Sequence, residues 1–191
     1  GTAVFYGAGD SPARLWQGAS PVEAPVVLLD QKQKRLVARG NGQDAPMAVH
    51  TVLTSAARPG KAAAGTAKAG VFQIVSRELT YSDEKHEAEF TGGVRVTSAD
   101  GRMRGKQAAV YLQAARAGGT EAAMAGSHVS KAGHEAPSLF GGLMGGSVER
   151  MVVNGDIVLD QPGRRATGEH LVYTAGDGLF TLTGTPGAPP K

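Results

Sequence analysis

Residues 150–173 constrain this chain most. Met151, Val153, Ile157 and Leu159 alternate with other residues in Arg150-Met151-Val152-Val153-Asn154-Gly155-Asp156-Ile157-Val158-Leu159. In an extended backbone successive side chains point to opposite faces, so these four share one side. Asp160-Gln161-Pro162-Gly163 follows as a turn, Pro presetting φ and Gly taking the positive φ. Arg164 to Tyr173 returns as a second strand. Such a strand–glycine–strand–turn–strand unit has one apolar face and must bury it against others like it. Gly155 reads either as a bend that carries one long strand across the fold or, with Asn154, as a two-residue hairpin turn.

The unit recurs. Gly93-Val94-Arg95-Val96 with Asp100-Gly101-Arg102 parallels Gly155-Asp156-Ile157-Val158 with Pro162-Gly163-Arg164. Each copy reaches a tyrosine ten residues after its turn glycine, Tyr111 and Tyr173. Tyr6-Gly7-Ala8-Gly9-Asp10 parallels Tyr173-Thr174-Ala175-Gly176-Asp177, and Val26 to Gln31 resembles Asp156 to Gln161. A looser copy runs from Tyr81-Ser82-Asp83 to Phe90-Thr91-Gly92. Copies that cannot bury their apolar faces alone share a core when stacked or folded over. The expected fold is therefore all-β, built from repeated meander units. It forms one domain over residues 1–191, with flexible loops at about 56–70 and 116–147, where large apolar residues are sparse. The Ala-rich stretch from Gln107 is read as strand, the repeat overriding a weak helix propensity.

Composition agrees and excludes several functions. With 28 Gly and 10 Pro in 191 residues, long helices are disfavoured. An aromatic content of 5% points to a core of Val, Leu, Ile and Ala. There is no cysteine, which removes disulfides, thiolate metal sites and cysteine nucleophiles. A net charge of +3, without basic runs interleaved with aromatics, argues against nucleic acid. No apolar run reaches the roughly 18 residues of a spanning helix. Residues 1–25 show no charged segment followed by an apolar one, so the sequence reads as mature or trimmed.

The repeats resemble the OstA-like family of periplasmic lipopolysaccharide-transport proteins, the LptA, LptC and LptD N-terminal type. Gly93-Val94-Arg95-Val96, Asp100-Gly101-Arg102 and Tyr111 match its pattern. So do Val153-Asn154-Gly155-Asp156-Ile157, Pro162-Gly163-Arg164 and Tyr173. The resemblance implies a β-jellyroll folded over as a half-open antiparallel sandwich, with an apolar groove between two sheets. It also implies a periplasmic location, with outer-membrane association as an option. The partners implied are lipopolysaccharide or a similar amphiphile, and neighbouring jellyroll domains or further copies joined through edge strands.

The candidates for the inward face are Leu15, Val27, Leu29, Phe90, Val94, Val96, Val153, Ile157, Leu159, Phe180 and Leu182. The same residues equally describe a closed core. Arg35, Arg102, Arg104, Arg164 and Arg165 follow the strands at turns, either as anionic head-group contacts or as solvated charges.

Catalytic patterns are not found. The five histidines lack metal spacing. Gly7-Ala8-Gly9 leads to a turn proline rather than a helix. Glu87 and Glu89 share a face without a convergent partner, and Ser138 and Ser147 lack a nucleophile-elbow context. The expectation is a non-enzyme without cofactor or metal. Its competitors are a closed interaction sandwich that assembles edge to edge and a carbohydrate-binding sandwich, for which Trp16 and a few tyrosines are the only platforms.

Overall fold

The computed structural model describes residues 1–8, 11–17, 20–42, 47–55, 70–113 and 146–184. Both expected loops, with Leu139-Phe140 and Leu143-Met144, lie largely outside these residues, as do Gly9, Asp10, His128 and His134.

The described residues form fifteen strands and no helix: β1 (Thr2–Tyr6), β2 (Ala13–Gln17), β3 (Ser20–Ala24), β4 (Val26–Asp30), β5 (Arg35–Arg39), β6 (Val49–Thr54), β7 (Val71–Ser76), β8 (Glu78–Ser82), β9 (Glu87–Thr91), β10 (Val94–Ser98), β11 (Gly101–Gly105), β12 (Gln107–Gln113), β13 (Ser147–Gln161), β14 (Arg164–Thr174) and β15 (Leu179–Thr183). All the pairings between them are antiparallel.

Their order reveals a meander creased down its middle. A front layer runs β1-β4-β5-β8-β9-β12, then the first half of β13, the second half of β14, and β15. A back layer runs β2-β3-β6-β7-β10-β11, then the second half of β13 and the first half of β14. The chain crosses from layer to layer between β1 and β2, at Pro25, between β5 and β6, and at Arg77, Gly92-Gly93, Lys106, Gly155-Asp156 and Glu169, in the same order in space as in sequence. Between crossings it reverses at the far ends of the layers. All-β and jellyroll-like is thus the observed architecture, the two layers being halves of one folded sheet.

The crease is hydrogen-bonded along most of its length. The Gly7 amide donates to Pro25 O at 2.8 Å, Gly40 to Arg77 O at 2.8 Å, and Arg77 to Thr91 O at 3.1 Å. Gly93 donates to Lys106 O at 3.0 Å, and Lys106 divides its N–H between Asn154 O and Gly155 O, both at 3.0 Å. At the next crossing the Asp156 amide donates to Glu169 Oε2 at 3.3 Å. Backbone groups in a bend would otherwise be left for water to satisfy.

Gly155 is a bend and not a hairpin turn. Asn154 pairs with His170 and Ile157 with Gly168, so two residues of β13 oppose Glu169 alone. This is a bulge, with Gly155 at φ 80° and Asp156 at φ 48°. Gly92, also at φ 80°, holds the same place between β9 and β10. The repeat therefore holds for β10–β11 and β13–β14, adjacent hairpins of the back layer. It fails for the two tyrosine copies: β14 turns into its neighbour β15, whereas β1 pairs with β4 and the chain crosses to the back layer. Tyr111 and Tyr173 also face opposite ways. Tyr111 lies outside beneath the Arg150 guanidinium, 4.3 Å from the ring centre, and Tyr173 is buried.

The core fills the space between the layers. Aliphatic residues dominate it, but its bulkiest enclosed side chains are Tyr81, Tyr173 and Phe90. Phe72, Tyr81, Phe90 and Tyr173 are buried there, a departure from the interior of Val, Leu, Ile and Ala expected from composition, while Phe5, Tyr6 and Trp16 are exposed.

A β-carbon at Gly92 would stand 2.5 Å from Arg77 Cβ, and one at Gly155 2.7 Å from Lys106 Cδ, both at positive φ. We expect Gly92→Ala and Gly155→Ala each to cost about 1–3 kcal/mol in urea unfolding.

Candidate functional site

The interlayer interior is the candidate site, and all eleven apolar candidates lie in or against it. Alternation does the positioning: each strand presents every second residue inward. Val27, Leu29, Phe90 and Val153 come from the front layer, Val94, Val96 and Ile157 from the back, and these seven are buried. Leu15, Leu159, Phe180 and Leu182 are only partly buried and pack against the cluster's margins. Leu15 sits on the edge strand β2, and Phe180 and Leu182 on the edge strand β15 at the opposite end of the meander.

Three aromatic rings order the β15 end. Phe72 of the back layer meets Tyr173 of the front edge-on, with ring centres 5.2 Å apart, and Tyr173 lies 4.7 Å from Phe180. Beside them a recess opens among Phe72, Val96, Met103, Leu159 and Phe180, bordered by Arg102 and Gln161. Its volume of about 10 Å³ admits one water molecule at most. Among the described residues the space between the layers is occupied by one cluster of packed side chains.

Opposite the crease the layers meet differently. Among the described residues a single parallel bridge, Ser55 with Val148, joins the free margins there. Among the described residues the layers are thus tied along most of one side and at one point on the other.

The arginines lie outside the interior. Met103 points inward, so Arg102 and Arg104 of β11 point out from the back layer. Arg165 Nε reaches Asp160 Oδ1 at 3.2 Å, and Arg164, at the β13–β14 turn, is exposed. Arg35 opens β5 on the front layer and is also exposed.

Sequence reasoning missed Phe72, Met103 and Tyr173 as lining residues. The alternation Phe72-Gln73-Ile74 carried the signal for Phe72. For Tyr173 the face could not be read, because it depends on the bulge in the partner strand. Lys106 was also missed: it occupies a crossing, and its Nζ donates to Asp156 Oδ2 at 2.9 Å.

That hydrogen bond raises the Lys106 pKa above its ordinary value. A raised lysine pKa means that the pair's contribution is complete below the unfolded value of about 10.4 and is lost as pH rises through the folded one. We expect the Lys106 ¹⁵Nζ titration to fall toward the ordinary value in Asp156→Asn. Separately, Phe90→Ala is expected to cost about 3–5 kcal/mol in chemical denaturation, as a fully buried aromatic leaving a cavity.

In comparison with known proteins, the profile of a family described as LptA/(LptD N-terminal domain) LPS transport protein matches residues 73–187, from β7 through the end of β15. No curated protein and no solved structure matches the chain.

Proposed function

Because the chain belongs to the family of LptA and LptD N-terminal domain LPS transport proteins, we propose that it is a bridge module that takes lipopolysaccharide acyl chains between its two layers and passes them on toward the outer membrane. Domains of this family act in the cell envelope, in transport rather than catalysis. One observation carries the finer reading: a single apolar interior runs the length of the meander and reaches both ends through partly buried side chains, Leu15 at one and Phe180 and Leu182 at the other.

Loading requires the layers to part, since the recess holds no more than a water. Each methylene that exchanges water for this interior contributes about 0.8 kcal/mol, against the side-chain contacts it displaces. Aliphatic chains are suited to such exchange because they leave no polar group unsatisfied. The recess by Leu159 and Phe180 is the natural point of entry. Arg102 borders it, and Gln161, which also lines it, leads into the turn carrying Arg164 and Arg165. In this reading Arg102, Arg164 and Arg165 meet an anionic head group left outside.

Hand-over uses the edges. Among the described residues β1 and β15 each pair on one side only. Tyr6 on β1 is 73% exposed and Leu179 on β15 is 62% exposed. Unpaired edges with apolar side chains favour strand addition, by another jellyroll domain or by a second copy.

The filled interior is the observation that favours the competing reading, an interaction sandwich that binds no lipid. Photo-crosslinking groups at Leu159 and Phe180 are expected to capture lipopolysaccharide, and one at outward-facing Val158 is not. Capture confined to Val158, or no capture alongside a mass that grows with protein concentration, would favour the competitor.

A further inference from the structure

The outer wall of the back layer holds a second feature, on the other side of the sheet from the apolar interior. Gly93, Arg95, Arg104, Gly105, Lys106 and Val158, with Val94 and Asp156, surround a solvent-open concavity of about 680 Å³ beside the β13 bulge. Its lining charges are three cations and one carboxylate, with the Glu169 carboxylate nearby, accepting the Asp156 N–H at 3.3 Å.

The register explains why positive charge is in excess here. Arg95 and Arg104 stand directly opposite each other in the β10–β11 hairpin. Like charges facing across an antiparallel pair disfavour that pairing. On its other side Arg104 faces Val158, which has no charge to offer. The two nearest carboxylates on β13 lie diagonally, two residues to either side of Val158, and each is engaged elsewhere. Asp156 takes Lys106 at 2.9 Å, and Asp160 takes Arg165 at 3.2 Å. Among the described residues Arg104 makes no ion pair. The bulge contributes too, since it turns Asp156 and hence Lys106 to the rim of the concavity.

We infer that this concavity is an anion site for a phosphate group, with Arg104 and Lys106 as its principal contacts and Arg95 as its wall. A guanidinium fork offers two parallel N–H donors to phosphate oxygens, and an ammonium adds a point charge. Lys106 is held by Asp156 through an exposed pair, and such pairs contribute little, so a dianion displaces Asp156 readily. Val158 provides an apolar floor. The site does not depend on lipid entering the interior, because the sheet itself separates the two. Its phosphate is supplied either by a free anion or by the head groups of an anionic membrane surface.

The test uses isotope-labelled protein over residues 1–191, titrated with inorganic pyrophosphate and followed by backbone amide shifts. Saturable shifts are expected at residues 93–95, 104–106 and 155–158. Arg104→Ala should weaken binding roughly tenfold, as the loss of one charge-assisted contact. Asp156→Asn should tighten it several-fold by freeing Lys106, and Lys32→Ala, at an exposed lysine in the distant β4–β5 turn, should leave it unchanged. Thermal midpoints of the variants verify that they fold. A second arm measures co-sedimentation with phosphatidylglycerol vesicles against phosphatidylcholine vesicles. Retention on the anionic vesicles that Arg104→Ala abolishes assigns the site to a membrane head group. Pyrophosphate shifts without retention assign it to a free anion. Uniform, non-saturating shifts together with no Arg104-dependent retention would overturn the site, whatever the outcome of lipopolysaccharide crosslinking.

Discussion

Everything in this fold depends on keeping a sheet hydrogen-bonded while it is bent double. A bend removes backbone groups from their ladder, and an unpaired buried N–H or C=O is costly. Here corner groups bond mainly to neighbouring corners: Gly40 to Arg77, Arg77 to Thr91, Gly93 to Lys106, Lys106 to β13. Where the bulge leaves the Asp156 N–H out of register, the Glu169 carboxylate accepts it. The crease is therefore a seam within one sheet, and the two layers inherit their alignment from it. The apolar interior, its two ends and the outer concavity follow from that alignment.

The same constraint explains what the sequence made legible. Alternation within strands is local, so the inward residues of β4, β9, β10 and β13 could be named without a structure. The crossings are not local. At Pro25, Arg77 and Lys106 one residue is spent in the corner, and the inward phase slips: buried Ala24 gives way to Val27, Ser76 to Leu79, and Met103 to Ala108. No apolar pattern marks Arg77 as a corner, since its role is set by neighbours that bond to it. The glycine corners, by contrast, were visible because a positive φ selects glycine. Tyr111 and Tyr173 show the limit most clearly, with equal spacing from the turn glycine and opposite faces in the fold.

Residues 73–187 carry the family profile, yet the strands before them continue the same meander through the same seam. Those first crossings add the edge at β1 and β2, with Leu15 at the end of the interior. The interior is packed with aliphatic and aromatic side chains. Filling by soft side chains also avoids an exposed apolar slot, which in water would invite aggregation. With the seam on one side and, among the described residues, only the Ser55–Val148 bridge on the other, the proposed opening is away from the crease.

Opening of that kind is the central claim, and a distance across the free margin tests it most directly. Spin labels at Gln113, at the far end of β12 in the front layer, and at Thr97, near the far end of β10 in the back layer, report the gap by double electron–electron resonance. The account predicts that saturating lipopolysaccharide shifts the distribution to longer distances. An unchanged distribution with lipopolysaccharide demonstrably bound would contradict it.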